Sequence, residues 1–313
     1  MFEVIRSGPL TTVQDLGRSG YQKFGLPISG ALDYYAHRMA NILVGNDEQA
    51  ATLEINLLGL QLQVLKDVVI AITGADLNAH INDDVAPMWK SFLVKEGDII
   101  HFKGTISGCR AYLAVAGGIE VEKKLGSRAT DMIGRIGGIN GREVRPGDRI
   151  KVLPSLKPFN QIRNRRIPKD LIPQYSSEVV VRVILGPQEH AFTKEGIQTF
   201  FASEYTVSTD SDRMACRLEG PKIEHQTQAD ILSEGLFSGA IQVPKNGLPI
   251  LFQGGRPSVG GYTKLGGVIT VDLPKVAQLK ARDKIRFEKI ELKKAQELLI
   301  EEMKALHFLS KIS

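Results

Sequence analysis

Lys95-Glu96-Gly97-Asp98-Ile99-Ile100-His101-Phe102 is a turn that ends in Asp and runs directly into a two-residue alternation. The pattern recurs in Arg145-Pro146-Gly147-Asp148-Arg149-Ile150-Lys151-Val152 and in Lys280-Ala281-Arg282-Asp283-Lys284-Ile285-Arg286-Phe287. Asp bonds to its own backbone in tight turns, and period-two alternation marks a half-buried strand. Repeated turn-then-strand units point to β-barrels. A second echo relates Val4-Ile5-Arg6-Ser7-Gly8-Pro9 to Val183-Ile184-Leu185-Gly186-Pro187, an apolar strand entering Gly-Pro each time. Two related halves are therefore expected, each opening on such a strand.

Around these units, the spacing predicts a helix over Tyr34–Leu43, where Tyr35, Met39, Ile42 and Leu43 follow Asp33 as N-cap and Gly45-Asn46 stops the run. A second helix is expected from 290 to the C-terminus, with Leu292, Ala295, Leu298, Leu299, Met303 and Leu306 as its apolar stripe. Between the halves, Pro154, Pro158, Pro168 and Pro173 break a stretch poor in apolar residues, which reads as a linker or surface excursion. The fold class is mainly β with a few helices. The expected organisation is a first domain over 1–155, a linker over 156–178, a second domain over 179–289 and a C-terminal amphipathic helix over 290–313.

At 313 residues the chain is long enough for about two domains. Forty cationic against 35 anionic side chains give +5, too mild for a nucleic-acid footprint unless the charges cluster. The one basic cluster, Arg163-Asn164-Arg165-Arg166, lacks stacking aromatics and reads as solvated linker, so no nucleic-acid partner is expected. Cys109 and Cys216 are too few for a disulfide framework and fit a reducing compartment. The N-terminus lacks a signal-peptide pattern and apolar runs such as Val68-Val69-Ile70-Ala71-Ile72 fall short of a membrane span. A cytoplasmic protein without a membrane partner is expected.

Several chemistries are set aside. There is no Gly-Lys-Ser/Thr phosphate loop, no G-x-G-x-x-G opening a helix and no G-x-S-x-G elbow. The six histidines are scattered singly, so no metal site is expected. What remains are polar residues lodged among glycines. The densest set is Gln253-Gly254-Gly255-Arg256-Pro257-Ser258-Val259-Gly260-Gly261-Tyr262-Thr263-Lys264, a loop between the apolar runs 248–252 and 267–271. Paired glycines and a proline exclude a helix interior there. Such a loop presents an anion- or amide-binding surface, or is a tight connection whose Arg256 and Lys264 face water. Further sets run over 11–18, 25–33, 125–131 and 208–214, and Asp33 has the alternative of capping its helix.

Four ordered motifs carry a resemblance: Thr12-Val13-Gln14-Asp15-Leu16-Gly17-Arg18, Ser29-Gly30-Ala31-Leu32-Asp33, Ser211-Asp212-Arg213-Met214 and Gln253-Gly254-Gly255-Arg256-Pro257. Together they resemble the family of KipA and the 5-oxoprolinase C subunit, also called biotin-dependent carboxyltransferase or allophanate hydrolase subunit 2. The resemblance runs from about residue 3 to about residue 288, and departs at Ala215-Cys216, where a glycine and an aromatic are expected. It implies two tandem cyclophilin-like β-barrel domains. It further implies work with a KipI-like B subunit and a LamB/YcsF-like A subunit in an ATP-dependent hydrolase complex that converts 5-oxoproline to glutamate. The alternatives are a carboxyltransferase acting from biotin on urea-like amides, or a KipA-type regulatory partner of a KipI-like kinase inhibitor. The only Met-Lys pair, Met303-Lys304, sits in the C-terminal helix stretch without the flanking Met of a biotin-acceptor hairpin, so no covalent biotin is expected on this chain.

Activating a small amide-like substrate needs a carboxylate toward the N–H and donors toward the oxygen. The motifs offer Asp33 or Asp212 for the first task. Arg18, Gln253 and Arg256 serve the second, with Tyr262 and Lys264 completing a wall. Gln14, Arg128, Arg213, Gly254 and Gly255 belong to the same binding set, in which Asp33, Asp212 and Arg256 are the expected catalytic residues.

Overall fold

The strand Val68–Asp76 is buried along almost its whole length, and its two faces belong to different cores. Val68, Ile70 and Ile72 enter one apolar cluster, Val69 and Ala71 another. A strand covered on both sides reads as an unbroken apolar run rather than an alternation. The computed structural model describes residues 1–312 and divides into two units. Unit 1 is Met1–Arg18, Ser29–Tyr175 and the residues from Ala305 onward; unit 2 is Ser19–Ile28 and Ser176–Lys304.

In unit 1 the strands form two antiparallel sheets. The six-stranded sheet orders Arg149–Ile150, Phe2–Ser7, Leu60–Val64, Ile99–Phe102, Ala79–Ile81 and Asp84–Val85. The five-stranded sheet orders Leu10–Gln14, Thr52–Asn56, Ser107–Val115, Val68–Asp76 and Lys90–Val94. Phe2, Val4, Leu53, Ile55, Leu62, Ile100 and Leu113 fill the core the sheets share. The helix Tyr34–Leu43 covers the outer face of the five-stranded sheet, where Ala36, Met39, Ala40 and Leu43 meet Tyr112 and Ala114. Its bounds are those the spacing predicts, and Asp33 caps it by accepting from the Ala36 N–H at 2.9 Å.

The proline-rich stretch is bound to unit 1 as far as Tyr175. Ile162 and Ile167 are buried in the helix-side core. Ser91 Oγ donates to the Ile162 carbonyl (2.6 Å), and Arg165, in the basic cluster read as solvated, donates from its backbone N–H to Ser91 Oγ (3.0 Å).

Unit 2 is a closed seven-stranded barrel. Its order is Glu178–Leu185, Lys264–Val268, Ala240–Gln242, Ile250–Phe252, Ala215–Glu219, Glu204–Val207 and Lys284–Lys289. Closure is by a parallel pairing, from Glu178↔Lys284 to Val183↔Lys289. The helix Lys194–Ala202 is capped by Thr193 and sends Phe200 into the core, stacked on Phe287 at 4.3 Å between centroids. Outside the barrel, Asp230–Gly235 and Val259–Tyr262 pair as a two-stranded ribbon. The stretch read as one long loop over 253–264 therefore contains a strand. The molecule is mainly β with few helices and a C-terminal helix, Leu292–Ile312.

Candidate functional site

Unit 1 gathers its motif residues by lacing 12–18 onto 127–131. Asp15 Oδ1 accepts from the Gly17 N–H (2.8 Å) and Ser127 Oγ (2.7 Å), and Oδ2 accepts from the Arg128 N–H (2.5 Å). Arg18 Nη2 donates to the Ala129 carbonyl at 2.6 Å, and Gln14 Nε2 to the Thr130 carbonyl at 3.2 Å. Glycine permits the approach. Gly137 has φ +72°, and a Cβ there would lie 2.2 Å from the Ala129 carbonyl and 2.9 Å from Arg18 Nη2.

Four buried atoms in this knot have no hydrogen-bond partner among the described residues: Gln14 Oε1, Arg18 Nε and Nη1, and Asp131 Oδ2. Arg18 is 1% exposed and has no carboxylate within ion-pair distance among the described residues. Burial lowers its pKa, opposed by the nearby Asp131 and Asp15 charges. An unsatisfied buried polar group costs about 1–3 kcal/mol, so native proteins keep few of them, often where a ligand completes the set.

Asp33 is placed otherwise. It is fully buried, its Oδ1 caps the helix, and its Oδ2 accepts from the Tyr175 hydroxyl at 2.7 Å. Its backbone N–H donates to the Tyr112 hydroxyl, which in turn donates to Glu54 Oε2 at 2.8 Å. The carboxylate is committed to holding unit 1 together, as the capping alternative has it. Arg128 is half-buried; beyond its backbone contact its Nε donates to the Val121 carbonyl at 3.0 Å, and it lines a cleft of about 330 Å³ with Lys123, Asp47 and Gly117-Gly118.

In unit 2 the turns 211–214 and 253–256 meet. The Gln253 N–H donates to the Met214 carbonyl at 2.8 Å, and a Cβ on Gly255 would lie 3.2 Å from the Arg213 carbonyl. Asp212 is exposed, and its Oδ1 accepts from the Met214 and Ala215 N–H groups at 2.7 and 3.0 Å, a turn that shapes the start of the strand Ala215–Glu219. Arg256 is 3% exposed; Nη1 donates to Ser238 Oγ at 2.8 Å and Nε is unpartnered among the described residues. Burial lowers its pKa. Lys264 is buried with its ammonium on Glu234, which also takes Gln188 Nε2. Tyr262 is 38% exposed on the ribbon.

Each unit thus presents a buried guanidinium with uncommitted donors, carried by glycine-shaped loops. The family described as "Carboxyltransferase domain, subdomain A and B" matches residues 24–289. The chain belongs to this carboxyltransferase-domain family. The C subunit of 5-oxoprolinase from Escherichia coli (strain K12) is 36% identical over 295 residues, 94% of this chain and 93% of that protein. The Haemophilus influenzae protein of the same name is 31% identical over 95% of this chain and 94% of its own length. Among solved structures, Kluyveromyces lactis urea carboxylase superposes with a TM-score of 0.93 at 33% identity. It covers 98% of this chain, which spans only 29% of that one. Two of these carboxyltransferase-domain relatives are named as enzyme subunits.

Asp131, Ser238 and Glu234 neighbour the candidate residues Arg18, Arg256 and Lys264 without being named as candidates from the sequence, and Asp15, inside the first motif, turns out to brace it. Asp131 ends the stretch 125–131, and the glycines at 134, 137, 138 and 141 behind it are the one local signal that could have marked it. Ser238 and Glu234 arrive by long-range packing, for which the local sequence carries no sign.

Proposed function

We propose that this chain is the C subunit of an ATP-dependent 5-oxoprolinase, working with a KipI-like B subunit and a LamB/YcsF-like A subunit to open 5-oxoproline to glutamate. The observation that carries this reading is the end-to-end match: the Escherichia coli oxoprolinase relative is covered over 93% of its own length, whereas the urea carboxylase is covered over 29%. Taken each by itself, the uncommitted donors of Arg18 in unit 1 and of Arg256 in unit 2 suit a carbonyl or carboxylate oxygen such as a lactam acid carries, since a guanidinium fork binds such oxygens with fixed geometry. In this reading Gln253, whose carbonyl accepts from the Arg256 N–H at 3.2 Å, is assigned to the second of these positions together with Arg213, Tyr262 and Lys264. ATP is consumed by the assembled complex, in the cytoplasm; among the described residues no helix is long and apolar enough to cross a membrane.

The alternative is carboxyl transfer from biotin to a urea-like amide, favoured by the TM-score of 0.93 to the urea carboxylase. The residues here do not suit biotin attachment, because Met303-Lys304 lies inside the helix Leu292–Ile312 rather than on a hairpin tip. Biotin would then arrive on another protein. Co-expression with the A and B subunits, followed by assay of glutamate formed from 5-oxoproline with and without ATP, separates the readings. ATP-dependent glutamate supports the oxoprolinase. Turnover that needs bicarbonate and a biotinylated partner supports carboxylation, and a tight complex without turnover supports the regulatory role.

A further inference from the structure

We propose that Asp131 is the carboxylate that accepts the substrate's amide N–H, acting beside Arg18 and Gln14; this rests on the amide-handling function proposed above. Four carboxylates from the motifs and the knot around Arg18 compete for the role, and their commitments differ. Asp33 spends both oxygens on the Ala36 N–H and the Tyr175 hydroxyl. Asp15 spends both on Gly17, Ser127 and Arg128. Asp212 is exposed, and its Oδ1 is held by two backbone N–H groups. Asp131 is 5% exposed; Oδ1 accepts from the Ile133 N–H at 3.2 Å, while Oδ2 is buried without a partner among the described residues.

The surroundings match that uncommitted acceptor to an amide. Arg18 Nε and Nη1 are unpartnered donors, Asp131 is the nearby charge that most opposes the lowering of the Arg18 pKa by burial, and Gln14 Oε1 is a second unpartnered acceptor. A lactam offers its oxygen to the Arg18 donors and its single N–H to Asp131 Oδ2, and a urea has a further N–H for Gln14 Oε1. Oδ2 is covered by the tip 132–135: a Cβ on Gly134 would lie 2.7 Å from it, and Asp131 and Ile136 close the tip with backbone bonds of 2.8 and 3.0 Å. That tip is exposed at Met132, Ile133 and Arg135, so little packing opposes its lifting to admit a ligand.

The test uses the assembled complex and two ligands that differ at one atom: 5-oxoproline and its ring-oxygen analogue, the lactone acid, which lacks the N–H. Titration calorimetry on wild type should show at least ~10-fold tighter binding of the lactam, in line with the penalty for leaving a buried polar group unpaired. Asp131→Leu, nearly the same size, should lose that preference while keeping affinity for the lactone, and Asp131→Asn, which still offers an acceptor, should retain part of it. Asp33→Asn should lower the melting temperature without changing the preference of the folded fraction. If the wild-type complex makes glutamate and Asp131→Leu still prefers the lactam, Asp131 is excluded and the oxoprolinase reading stands. If the wild type makes no glutamate, that reading falls, and the same comparison is run with urea against tetramethylurea. Undiminished preference for urea in Asp131→Leu, or no binding of either pair by wild type, overturns the assignment.

Discussion

Arg182 and Arg256 lie in the same unit, carry the same guanidinium and are held in opposite ways. Arg182 is gripped by Asp272 through Nε and Nη2, both at 2.8 Å, and its own backbone N–H reaches the same carboxylate at 2.8 Å. Its hydrogen bonds to Asp272 raise its pKa despite partial burial. Arg256 is more deeply buried, with Ser238 as its side-chain hydrogen-bond partner and an unpartnered Nε, and burial lowers its pKa. A buried charge whose partners are complete serves the architecture, whereas one left incomplete is costly to the fold and is retained for what it can bind. The two arginines should therefore fail differently when altered.

The steepest loss of stability belongs to the complete pair. Asp272→Ala removes a fully buried carboxylate that Arg182 and Lys275 share, and should destabilise the protein by about 3 kcal/mol, the low end for a broken buried pair because Arg182 keeps some solvent. Calorimetry should show the loss as a lower melting temperature. Burial pushes the Asp272 pKa up, but hydrogen bonds from Arg182 and Lys275 outweigh it, and the net shift is downward. Its contribution is then fully present above the ordinary aspartate value of 3.8 and fades as pH falls below it, so wild type should lose stability on that acid limb more steeply than the variant.

Arg256→Met should reverse the pattern. Turnover of the reconstituted complex should fall by at least ~100-fold, the usual cost of removing a main charge-stabilising donor. The melting temperature should hold or rise, since an apolar side chain replaces an incompletely paired buried charge. Arg18→Met should behave in the same way in unit 1. A melting temperature that drops as far as in Asp272→Ala, with turnover unchanged, would return Arg256 to the architectural class.

The contrast also marks where the sequence can be read. The helix Tyr34–Leu43 is legible because its cap and apolar spacing are local, and the turn-strand units because their Asp and alternation are. The helix Lys194–Ala202 escapes notice because Gly196 interrupts it; the glycine is needed, since a Cβ there would lie 2.5 Å from the Glu224 carbonyl. The ribbon strand Val259–Tyr262 reads as loop because Gly260 and Gly261 carry no strand preference, yet the side chain of Gln242 occupies the space a Gly260 Cβ would take. Ile162 and Ile167 stand alone in a polar stretch, so their burial has no period to announce it. For the site, the motifs name Arg18 and Arg256, but which of their donors lack partners depends on residues more than a hundred positions away for Arg18, and on the loop around Ser238 for Arg256. Composition and spacing cannot carry that information.

A gentler change probes how the incomplete arginine is aimed. Ser238→Ala removes the hydroxyl that orients Arg256 and leaves the guanidinium in place. A net neutral hydrogen bond is worth about 1 kcal/mol, so turnover should fall by about fivefold, through orientation rather than charge. In Arg256→Met the serine has no guanidinium left to orient, so the two changes should be non-additive: the double variant should be no slower than Arg256→Met alone. Additive losses would mean that Ser238 acts on the substrate or the fold by a route of its own, and that the uncommitted state of Arg256 does not depend on it.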